Sequence, residues 1–222
     1  MRIPSTHLRR WLPLALLTLL GAQAQAAAPV SSQASLIDAN RYLLLLSATG
    51  DERFQTYMEN TGKRLDASLA ANQDPALREL WSNFQQGSRK LVGSFATQKL
   101  TAQQKMSQSL ALEEPVTAYL KAHPQATPTL ADNLRLRALL AAREANLRSA
   151  DPKQADAEAE QIKALDAGIQ QQIDGLAKAD PTLHADLSNR WHYLQVSQKN
   201  GKLLPYPFNA QIDAMLGKLD AR

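Results

Sequence analysis

Cysteine is absent from the 222 residues, so the chain has no disulfide framework, no thiol nucleophile and no lipid-bearing cysteine behind a leader. Its stability has to come from packing. Glycine is scarce, and the nine glycines are scattered without forming a phosphate-cradling loop or a dinucleotide fingerprint. There is no G-x-S-x-G elbow and no S-x-x-K pair. No Glu stands three residues ahead of His123, His184 or His192, which removes the Glu-x-x-His motif of di-iron bundles. His184 and His192 are eight residues apart on one helical stretch, ~12 Å along its axis, too far to share a metal directly. Runs of alternating β-branched residues are also missing, and with them any strand signal.

A lasting excess of one charge is lacking too. The formal charge is +4, from 25 basic and 21 acidic residues. Arg2, Arg9 and Arg10 fall in the first ten residues, which hold no acid, so beyond them the balance is 22 against 21, or +1. No basic run remains to follow a phosphate backbone, which argues against a nucleic-acid binder.

Those first residues read as a targeting signal. A basic start is followed by a short apolar core from Trp11 to Gly21 and then by AQAQAAA, with small residues at the cleavage positions. The apolar core is about half the ~20 residues of a spanning helix. The expectation is a secretory signal over residues 1–26, cleaved near Ala26. Residues 27–222 would then form one helical-bundle domain, exported to the periplasm and without stable membrane insertion.

Helix punctuation dominates the rest. Asp74-Pro75, Asp151-Pro152 and Asp180-Pro181 each place an N-cap acid before a proline at the first helical position, and Glu114-Pro115 is a weaker version of the same signal. Helical stripes follow: Leu77, Trp81, Phe84 and Leu91; then Ile162, Leu165, Ile169, Ile173 and Leu176; then Leu183, Leu187, Trp191 and Leu194. Asn200-Gly201 reads as a C-cap. Residues 122–129 (AHPQATPT) read as a loop, and residues 204–208 (LPYPF) as extended chain, since two closely spaced prolines disfavour helix. The predicted fold is all-α, an elongated antiparallel helical bundle.

The stretch YLLLLSATGDERFQTY, from Tyr42 to Tyr57, sits inside this pattern. Only about two of four consecutive leucines can face one partner, so the helix predicted over residues 32–48 must be covered on more than one side. Gly50 ends or bends it, and Thr49 with Glu52 has capping-box spacing for a restart. Together with Leu65-Asp66 and the Leu80-Trp81 helix, this segment resembles the extracytoplasmic four-helix-bundle sensor domains of bacterial chemoreceptors and histidine kinases. The resemblance covers about residues 38–84. It implies a sensor-like, ligand-binding bundle, here without a signalling region of its own.

The densest chemical cluster runs from Arg190, Trp191, His192 and Tyr193 through Asn200 to Tyr206-Pro207-Phe208. Arg190, Trp191 and Tyr206, joined by Arg41, are the candidate ligand-binding residues, with the arginines offering bidentate forks to a small anion or stacking on an aromatic ligand. Trp191 also falls on an apolar stripe, which fits a core position. The acidic run Asp156, Glu158, Glu160 and Asp166 with Lys163 reads as a solvated helix face. No catalytic residue, metal or cofactor is expected. The expected function is a non-enzymatic binding or interaction module of the cell envelope, taking a small-molecule ligand or an envelope protein partner. Alternatives are an adaptor using an apolar helix face and an envelope hydrolase with a site assembled from distant residues.

Overall fold

A computed structural model describes residues 30–71, 74–199 and 205–221; the expected leader and the Asn200-Gly201 cap lie outside these. The described residues form eight helices and no strand: α1 (Ser32–Thr49), α2 (Arg53–Ala71), α3 (Pro75–Thr97), α4 (Ala102–Ala122), α5 (Leu130–Ala150), α6 (Pro152–Ala179), α7 (Pro181–Lys199) and α8 (Pro205–Asp220). The all-α prediction holds. No described helix is long and apolar enough to cross a membrane.

Aspartate sets the corners. Asp151 and Asp180 each close one helix and open the next: their backbone amides reach Leu147 O and Leu176 O, while their carboxylates accept from the amides of Gln154 and Leu183. Pro152 excludes Asp151 from the helical region, and Asp151 lies at φ −147°, ψ 85°. One residue thus suffices to turn the chain. Gly50 ends α1 at φ 71°, a left-handed conformation that glycine adopts without cost. The restart of α2 uses Asp51 rather than the expected Thr49, because the Asp51 carboxylate accepts from Arg53 N at 3.0 Å while the Thr49 hydroxyl turns back to Leu45 O.

Two proline readings are corrected. LPYPF was expected to be extended, yet Pro205 to Phe208 form the first turn of α8. First-turn amides have no intrahelical acceptor, so the two prolines forfeit no bond there. Glu114-Pro115 does not start a helix but lies within α4. An interior proline costs about 3 kcal/mol; the buried stripe of Met106, Ser109, Glu113 and Val116 runs along α4 on both sides of it and offsets that penalty.

Packing divides the apolar residues into two clusters. The first takes its residues from α1 to α4, with Phe54, Trp81 and Phe84 among them; the second draws on α5 to α8 around Ile169, Ile173, Trp191 and Phe208. Helix α5 belongs to both, giving Leu139 and Ala142 to one and Leu134 and Ala138 to the other. Helix α1 is enclosed by α2, α4, α5 and α8. Every residue from 34 to 47 is buried, which explains the four leucines. At 3.6 residues per turn they point all round the axis, and every direction is occupied.

A helix buried on all sides must also satisfy its polar groups. Asn40 and Ser47 donate to Leu36 O and Leu43 O within α1, Ser47 meets Ser109 of α4, and Asn146 of α5 donates to Leu44 O at 3.0 Å.

Candidate functional site

The chain between α4 and α5 is the predicted loop, and it is tied down on two sides. Gln33 of α1 donates to His123 O and Gln172 of α6 donates to Pro128 O, each at 3.0 Å. Asn133 steadies Gln172 through a 2.9 Å bond. The His123 ring stacks on Tyr119, 4.2 Å between centroids, and the Tyr119 hydroxyl donates to Asp74, the N-cap of α3. Partial burial and the Asp74 bond push the Tyr119 hydroxyl up to about 12.

Beneath this strap lies a cleft of about 290 Å³ bounded by α1, α4, α5 and α6. Its middle is apolar, with Ile37, Leu120, Leu136, Leu139 and Leu140. At the loop end stand Lys121, His123, Gln125, Asp132 and Asn133; at the other end stand Thr117, Arg143, Glu158 and Gln161. Asp132 and Arg143 are eleven residues apart on α5, so the polar ends are about 16 Å apart.

The Arg143 end is dense in charge. Its guanidinium, 3% exposed, pairs with Glu113, meets Glu158 at 3.0 Å and reaches Glu114 at 3.2 Å. Every nitrogen of the fork is engaged: Nε on Glu158, one terminal nitrogen on Glu113 and the other on Glu114. Thr117 donates to Glu113 as well. Burial is the largest influence on the Glu113 carboxyl and pushes it above its usual range, against the pull of Arg143. Arg143 is held above its ordinary value by its three carboxylates, despite burial.

A second buried charge cluster joins α1, α5 and α8. Arg41, 1% exposed, meets Asp38 at 3.1 Å, Asp213 of α8 at 2.9 Å and the Tyr42 hydroxyl at 2.7 Å. Arg135 approaches Asp38 and Asp220. Burial, the leading cause, pushes Asp38 upward, and it pushes the Tyr42 hydroxyl up to about 12.

The four residues singled out from the sequence are dispersed. Trp191 is in the second core at 1% exposure. Arg190, a third exposed, bonds to Asp186 and Gln211. Tyr206 is exposed, edge-on to Phe54 and beneath Arg53. Among the described residues no hydrogen bond, ion pair or ring contact joins any two of Arg41, Arg190, Trp191 and Tyr206. The acidic run of α6 also divides. Glu160 and Lys163 remain in solvent, 3.9 Å apart, whereas Glu158 and Asp166 turn inward to Arg143 and Arg137. The two inward acids are eight residues apart, close to the same helix face, and that spacing was the available signal. No group of three or more metal-ligating side chains forms among the described residues.

Compared with protein-family models, with curated proteins and with solved structures, the chain matches none.

Proposed function

We propose that this chain is a non-enzymatic, sensor-like binding module of the bacterial cell envelope whose small-molecule ligand enters the cleft between α1, α4, α5 and α6. The observation that carries this reading is the cleft itself: an apolar trough with a polar cluster at each end. Ligand sites are typically concave, mostly apolar and equipped with a few placed polar groups, with volumes of roughly 300–1,000 Å³. This one is near the small end. Its walls are anchored rather than loose, because α1 and α5 are buried helices and the strap is bonded on both flanks. Preorganised walls lose little freedom on binding. Export to the envelope follows from the leader-like N-terminus, and the sensor-like character from the resemblance around residues 38–84.

The test is a thermal-shift screen of the purified protein against small molecules, repeated with Leu136→Trp. Leu136 is half-buried in the cleft wall, so an indole there would fill the trough. A ligand at about 100 times its Kd adds about 2.7 kcal/mol of stability. That stabilisation should vanish in Leu136→Trp; an equal shift in both proteins would place the ligand elsewhere.

A further inference from the structure

We infer that the cleft selects an apolar molecule bearing a cationic amine, with the amine directed to the Glu158 end. This rests on the cleft being the ligand site and adds the chemical class of its occupant.

The sign of that end follows from its partners. Arg143 is the cleft's one buried cation, and an arginine in a pocket ordinarily suggests an anionic ligand. Here the fork is already committed to acids, since each of its three nitrogens serves a carboxylate of Glu113, Glu114 or Glu158, and only one N–H on each terminal nitrogen is left over. Three carboxylates surround one guanidinium. With Glu113 protonated, two carboxylates still face a single positive charge, so the end is negative in either state. An incoming carboxylate or phosphate would meet an excess of like charge from Glu158 and Glu114. An ammonium would find an acceptor: Glu158 lines the cleft with its side chain 19% exposed, and its carboxylate, which accepts from Arg143 and Gln154, keeps further lone pairs, while Gln161 and Thr117 also line the cleft.

The apolar requirement comes from the middle of the cleft. Ile37 and Leu139 are buried beneath it and Leu120 and Leu136 flank it, so a strongly hydrated body would forfeit its water there without compensation. The opposite end carries Lys121, two turns of α4 beyond Glu113, together with Asp132, whose carboxylate is taken up by Thr129, so the formal charges there cancel. The cleft is therefore polarised along its length, and an amine has one favoured orientation.

Three probes of equal chain length separate the possibilities: hexylamine, hexanol and hexanoate, titrated into the full-length protein by calorimetry. Hexylamine is expected to bind tightest and hexanoate weakest. Glu158→Gln should weaken hexylamine about tenfold, as expected for loss of a hydrogen bond to a charged group, and leave hexanol unchanged. Should that variant fail to fold, Glu114→Gln lowers the same charge from a position 62% exposed and outside the cleft wall; the amine should then weaken on the order of twofold. Hexanoate binding as well as hexylamine, or an amine affinity indifferent to both substitutions, overturns the amine assignment. In that case binding still lost in Leu136→Trp would leave the cleft standing as the ligand site. If none of the probes binds, or if Leu136→Trp changes nothing, the cleft reading falls and the amine assignment with it.

Discussion

The inner helices α1 and α5 and the outer helices α3 and α6 are built by different rules. On α3 and α6 one stripe is buried and the rest is wet: Leu77, Trp81, Phe84 and Leu91 on the first, Ile162, Ile169 and Ile173 on the second. On α1 the buried residues make no stripe at all, and α5 buries Arg135, Arg137 and Arg143 among its leucines and alanines. An outer helix needs one apolar face. An inner helix needs apolar filling all round, plus a partner for every charge it takes inside.

The comparison is broken most forcefully at a buried charge. Arg143→Met leaves Glu113 without its cation, and removing one member of a buried pair costs about 3–5 kcal/mol. The pH dependence has a definite sign. Burial already holds the Glu113 carboxyl above its usual value, and losing Arg143 raises it further. Between the unfolded value of about 4.3 and that raised value the folded state binds more protons than the unfolded one. Stability of the variant therefore falls as pH rises through this window and recovers as pH is lowered toward 5, as urea melts at the two ends should reveal.

Next come the leucines. Leu43, Leu44, Leu45 and Leu46 are all at most 5% exposed. Each mutation to Ala should cost about 2–5 kcal/mol in chemical denaturation. On an ordinary amphipathic helix at least one of four neighbours would tolerate the change; a harmless member here would mean that α1 has an open side.

A smaller effect is expected at Gly50→Ala. Nothing crowds the site, so the penalty is backbone strain alone, about 1–2 kcal/mol for a residue with a Cβ at φ 71°. A loss below 0.5 kcal/mol in the thermal melt would show that the α1–α2 corner relaxes. Least of all should come from Glu160→Gln on the wet side of α6, whose 3.9 Å pair with Lys163 is fully solvated. Its melting temperature should match the parent's, the expectation for an exposed ion pair.

The same contrast explains what was legible beforehand. The α6 seam was readable because Ile162, Ile169 and Ile173 recur at helical spacing, and the extent of α1 was readable because four leucines cannot share one partner. The arginines were not readable. A charge in a sequence suggests solvent, and the partners that bring Arg143 inside lie 15 to 30 residues away on other helices. Tyr206 and Arg190 looked like one pocket because they lie near each other in the sequence. In the fold Tyr206 meets α2 and Arg190 bonds within α7 and to α8. The cleft lacked a local motif altogether, since each helix adds only a few ordinary residues to it. Proline was misread for a related reason: its cost depends on helix position, which only the fold fixes.

Because α5 contributes side chains to both apolar clusters, neither half of the molecule is a self-sufficient piece. Sever the chain ahead of residue 130 and the C-terminal fragment would carry Leu139 and Ala142 bare, while the N-terminal one would lose the wall that shields Leu44. The trough proposed as the ligand site would disappear along with that wall. Both clusters should therefore melt in a single step, since a helix common to both cores leaves no half-folded state with its greasy surface covered.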